Sequence, residues 1–172
     1  MRSFAAALMA LLPAVAIASE SFLAGLERRL QADGPDGVNT YLGTQAAGMA
    51  ELNRLTADCA PQAINISVRL SRGNDPKAND VHREALRIAV GACTDYVLSQ
   101  VSVSEVPKVC ASAASWTVSQ TARELRRRIA NIEADEVLRS SPRGKACAAA
   151  YRFELHNTRV GVRLGQPGAR PR

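Results

Sequence analysis

VHREALRIAVGACTDYVLSQVSVSEVPKVCASAASWTVSQTARELRRR, residues 81–128, is the stretch whose reading decides the fold. Val81, Ala85, Ile88/Ala89, Ala92/Cys93 and Tyr96/Val97 recur at three- and four-residue steps, the signature of one apolar helix face. The β-branched, serine-rich joint Val101-Ser102-Val103-Ser104 interrupts that pattern. Ser104 then offers a helix N-cap, with Pro107 still inside the tolerated first turn. A second stripe follows through Val106, Val109/Cys110, Ala113, Trp116/Thr117, Gln120 and Leu125, and extends through Ile129 and Ile132 towards Val137. This second helix either runs unbroken to Leu138 or bends around residues 126–128. The stretch therefore predicts a helical hairpin.

Cys93 and Cys110 flank the joint almost symmetrically, six residues before Ser99 and six after Ser104. At about 1.5 Å rise per residue both lie roughly 9 Å from the joint, within reach of each other. That favours Cys93–Cys110, leaving Cys59 at the end of one helix to meet Cys147 near the start of another. Sequential pairing, Cys59–Cys93 with Cys110–Cys147, is the alternative. It requires residues 62–72 to run back along their predecessor and the long second helix to break.

The N-terminus bears on the compartment. Arg2 supplies a positive start, residues 4–15 are apolar apart from Pro13, and Ala16-Ile17-Ala18 has the small-x-small form that signal peptidases accept. The run is shorter than the roughly 20 residues that span a bilayer. Residues 1–18 therefore read as a cleaved signal peptide of bacterial type, and the protein as periplasmic or secreted. An even count of four cysteines in an exported chain reads as two disulfides. Zinc is the competing use, but no pair has close C-x₂₋₄-C spacing.

Aromatics make up only 4% of the 172 residues, which favours closely packed helices over a sheet. Phe22, Leu23, Leu26 and Leu30 mark a first helix, stopped by the turn Asp33-Gly34-Pro35-Asp36-Gly37. Val38, Leu42, Met49, Leu52 and Leu55 mark a second, running to about Asp58. Ile64-Asn65-Ile66-Ser67-Val68 alternates like a strand, yet no second strand-like run stands nearby to pair with it, so a short helix is expected. Asp75 or Asn79 can cap the next helix. A short helix from Lys145 to Leu155 follows the turn at Ser140-Ser141-Pro142. The expected fold is all-α: a compact bundle of four to six helices stapled by two disulfides. Residues 19–155 form the single domain and residues 156–172 a basic, disordered tail.

Sites for chemistry are scarce. Asp80-x-His82-x-Glu84 places carboxylates two residues either side of an imidazole, a spacing that points to different helix faces. It reads as a solvated helix start. No catalytic residue, metal ligand or cofactor is assigned, and an enzyme would have to assemble its site from scattered residues. The charge distribution says more. From Ser19 to Ala122 there are 9 Lys+Arg against 11 Asp+Glu; from Arg123 onward, 12 against 5. Arg123, Arg126, Arg127, Arg139 and Arg143 are the candidate partner-binding residues, with Glu124 expected to pair with Arg128 at i+4. Arginine forks suit carboxylates and phosphates. The leading functional reading is a non-enzymatic exported module that binds an anionic macromolecular partner, such as an inhibitor, immunity or assembly factor. The partner is an acidic protein or a phosphate-bearing envelope component, nucleic acid being less available there. A small-ligand carrier with Trp116, Tyr41, Met49 and Tyr96 around an internal pocket is the alternative, and an enzyme with an unrecognised site a third.

Overall fold

The computed structural model describes the backbone of residues 11–164 and the side chains of residues 19–158. The described residues hold nine helices and no strand. In chain order these are α1 Leu11–Gly43, α2 Ala46–Ala57, α3 Pro61–Leu70, α4 Pro76–Ala89, α5 Thr94–Gln100, α6 Val106–Val109, α7 Val118–Ala134, α8 Glu136–Ser140 and α9 Pro142–Leu164. The class is all-α as expected. The count exceeds four to six because three of the predicted long helices are broken.

The Asp33–Gly37 stop is realised as a bend inside α1, where Gly34 adopts φ +68° and Pro35 restarts the helix. Only glycine takes that conformation without a steric penalty. The chain then turns again at Thr44-Gln45, so Val38 and Leu42 belong to α1 while Leu52 and Leu55 belong to α2.

The expected short helix over residues 62–72 is α3, and its burial explains why it alternates. Residues two apart on a helix lie about 200° apart. Ile64 and Val68 enter one core, with Leu86, Val97, Leu125 and Tyr151. Ala63, Ile66 and Leu70 enter the other, with Leu23, Leu26, Leu42 and Leu52. α3 is the wall common to both.

The predicted hairpin is not formed. α4 ends at Ala89, and the chain turns through residues 90–93 before α5. A Cβ at Gly91 would stand 2.5 Å from Nη2 of Arg128, so this turn depends on the bare glycine. After the joint, α6 is a single turn, and an irregular segment separates it from α7. Carboxylates from distant helices satisfy that segment's backbone: Ala114 N–H donates to Glu84 at 2.7 Å and Ser112 N–H to Glu154 at 2.7 Å. α7 then starts afresh on a capping box between Thr117 and Gln120. Gln120, expected to face inward, is exposed and serves this cap.

With both helices interrupted, the equidistance argument fails and the cysteines pair sequentially. Cys59 joins Cys93 with Cα atoms 6.2 Å apart, and Cys110 joins Cys147 at 5.2 Å. Cys59 closes α2 in a Schellman arrangement: its N–H donates to Thr56 O at 3.0 Å and Ala60 N–H to Leu55 O at 2.9 Å. Its φ is +64°, a left-handed conformation that glycine normally supplies.

At both ends the helices run past the domain bounds expected from sequence. α1 begins at Leu11, inside the stretch read as a signal peptide, and residues 1–10 lie outside the described residues. Among the described side chains, the Ser19 hydroxyl donates to Glu51 at 3.2 Å. At the other end α9 does not stop at Leu155 but continues to Leu164, so the first half of the expected disordered tail is helical. Residues 165–172 lie outside the described residues.

Candidate functional surface

α7 has an inner face of Thr121, Leu125, Arg128 and Ile132, all buried at helical spacing. Arg123, Arg126 and Arg127 are therefore turned outward, and all three are exposed. Glu124 pairs with Arg127 at 2.8 Å, not with Arg128 as expected, and the Arg127 guanidinium holds the Glu124 carboxyl below its usual range. Arg123 and Arg126 form no salt bridge among the described residues.

Arg128 is 5% exposed. Its guanidinium carbon lies 4.6 Å from the Trp116 ring centre and 5.9 Å from that of Tyr151. Nη1 donates to Arg87 O at 2.6 Å and to the Tyr151 hydroxyl at 3.2 Å. Arg87 O is one of the last four carbonyls of α4, which have no partner within the helix. The buried cation therefore caps a helix C-terminus, where the dipole favours positive charge. No carboxylate forms a salt bridge with it among the described residues.

The remaining predicted arginines serve different ends. Arg143 donates from Nε to Val101 O at 2.8 Å, tying the start of α9 to the joint. Arg139, exposed on α8, lines a cleft of about 100 Å³ with Lys145 and Arg152 of α9. Arg152 pairs with Glu133 of α7 at 2.5 Å. The structure thus groups Arg139 with Lys145 and Arg152, places Arg123, Arg126 and Arg127 on the outer face of α7, and gives Arg143 a structural role.

The Asp80–His82–Glu84 trio comes apart. Asp80 and Glu84 both pair with Arg87, at 3.1 and 3.2 Å. His82, expected to be solvated, is instead fully buried, because α4 is turned to bury Asn79, His82, Leu86 and Ala89 while Val81 and Ile88 stay exposed. This polar stripe is buried because polar groups meet it. Asn39 Nδ2 donates to Leu70 O at 3.2 Å, which leaves its Oδ1 to accept from His82 Nε2 at 2.9 Å. Asn79 Nδ2 donates to Gly73 O at 2.6 Å. Nδ1 of His82 is buried with no protein partner, and burial holds the imidazole pKa down to about 4.

His82 gives a testable pH dependence. The unfolded chain takes up its proton near the ordinary 6.5, while the native state resists until about 4. Stability is therefore greatest above that ordinary value and is lost as pH falls through this window. The slope reaches about 1.4 kcal/mol per pH unit and sums to roughly 3 kcal/mol. Urea denaturation of the native chain and of His82→Gln checks this across the window. The variant's curve should be distinctly flatter, and equal slopes would remove His82 as the cause.

The aromatic pocket of the ligand-carrier reading is not assembled. Tyr41 and Met49 pack against one core, Tyr96 and Trp116 against the other. Two larger hollows are surface grooves, about 790 Å³ along α4 beside Val81 and Ile88, and about 650 Å³ between α6 and α9 beside Phe153. Among the described residues no group of three or more His, Cys, Asp or Glu is placed to hold a metal ion. No helix among them is long and apolar enough to cross a membrane. No known protein family, curated protein or solved structure matches this chain.

Proposed function

We propose that the chain is an exported, non-enzymatic helical module that docks an anionic macromolecular partner on the basic surface of its last third. The observation that carries this reading is the outward face of α7, where Arg123 and Arg126 are exposed with no salt bridge among the described residues. Export rests on the signal-like residues 1–18, and two disulfides and no membrane-crossing helix among the described residues are compatible with it. Positive charge held on a rigid helix speeds encounter with an anionic surface and weakens with salt.

The test is capture from a periplasmic extract with the native chain, with Arg123→Gln/Arg126→Gln, and with the C-terminal arginines of residues 165–172 neutralised separately. A partner recovered by the native chain should be released by salt and lost from the α7 variant. Equal recovery in all three would dispose of the electrostatic reading.

A further inference from the structure

The cleft between α7, α8 and α9 defines the anionic group more closely, a refinement that rests on the proposed docking of an anionic partner. We infer that this cleft is a binding site for a phosphate monoester. Three cationic side chains line it, Arg139 from α8 and Lys145 and Arg152 from α9. One carboxylate, Glu133, is also present and is paired with Arg152. The cleft therefore has an excess of two positive charges, carried by Arg139 and Lys145, which form no salt bridge among the described residues. A phosphate monoester carries about −1.5 to −2 near neutral pH, whereas a carboxylate carries only one charge. The volume of about 100 Å³ leaves room for a small polyatomic anion.

The cations are held there by the backbone. A Cβ on Gly144 would lie 1.9 Å from Leu138 O, so only glycine lets the first turn of α9 pack this closely on α8. That approach brings the chain around Arg139 and Lys145 to one cleft. Ile132 and Ala148 also line the cleft and give it an apolar component. A charge-assisted bond to a phosphate oxygen is stronger beside such surface than in open water. Phosphate of this kind can be free or can be the terminal group of an envelope lipid.

The experiment titrates the oxidised chain with inorganic phosphate at constant ionic strength, following the backbone amides of Gly144, Lys145 and Ala148 by NMR. Acetate serves as the carboxylate control. Saturable shifts with phosphate and not acetate are expected, with affinity lowered about tenfold by Arg139→Gln and again by Lys145→Gln. Lys77→Gln, exposed on α4 and outside the cleft, should leave it unchanged. Sedimentation with phosphatidic acid vesicles, against phosphatidylcholine vesicles, identifies the source. Vesicle binding lost on Arg139→Gln makes the site a headgroup site, and free-phosphate binding alone makes it a small-ion site. No shift with phosphate, equal shifts with acetate, or equal loss in Lys77→Gln would each overturn the cleft. If it fails while captured partner remains salt-sensitive, the docking reading stands. If phosphate binds but partner recovery ignores charge, only the docking reading falls.

Discussion

Arg128→Ala should destabilise the protein by about 4 kcal/mol, several times the effect of the same change at Arg126 two residues earlier. Removing the side chain empties a site between Trp116 and Tyr151 and strips Arg87 O of its donor. A large buried truncation costs about 2–5 kcal/mol, and a stranded carbonyl adds about 1–3 where it cannot reach water. Arg128→Met keeps most of the volume but not the cap, so a smaller loss of about 1–2 kcal/mol is expected. Arg126 is exposed, and its truncation should stay within about 0.5 kcal/mol. Urea denaturation followed by the single Trp116 measures all three. If Arg128→Ala and Arg126→Ala unfold at the same midpoint, the capping account of Arg128 is wrong.

Loss of either disulfide should be comparably severe. The bridges span 34 and 37 residues, and closing loops of that length in the unfolded chain corresponds to roughly 3–4 kcal/mol each. Cys59→Ala/Cys93→Ala and Cys110→Ala/Cys147→Ala should each lower stability by about that amount. The first bridge has a further signature. At φ +64° a glycine is unstrained where alanine is not, so Cys59→Gly/Cys93→Ala should recover about 1 kcal/mol relative to the double alanine. Peptide mapping without reductant should find Cys59 linked to Cys93. Cys93 linked to Cys110 would refute the connectivity and the broken-helix geometry behind it.

The class, the two staples and the helical state of α3 were legible from composition, cysteine count and periodicity. The breaks were less so, and for identifiable reasons. Thr117-x-x-Gln120 was a readable capping box that would have ended the illusion of one long second helix. The stop after Ala89 had only Gly91 to announce it, and that glycine is required by Arg128, which is distant in sequence. His82 reads as solvent-facing and Asn79 as a possible cap because nothing local reveals that Asn39 and Gly73 O will meet them. The basic surface was legible as a charge imbalance, but not its sorting into an outward α7 face, an inward Arg128, a tethering Arg143 and a cleft around Arg139. That sorting depends on helix phase and on Gly144 admitting α9 against α8, neither of which charge counting can supply.

The position of α3 also bears on how the protein could be dissected. Its Ile64 and Val68 belong to one cluster and its Ala63, Ile66 and Leu70 to the other. A fragment ending before Pro61 would leave the second cluster without its facing wall, and one starting after Leu70 would do the same to the first. α3 is therefore shared by the two clusters, and neither cut leaves both of them whole. A split reporter should avoid both cuts and keep α3 with the helices on either side of it.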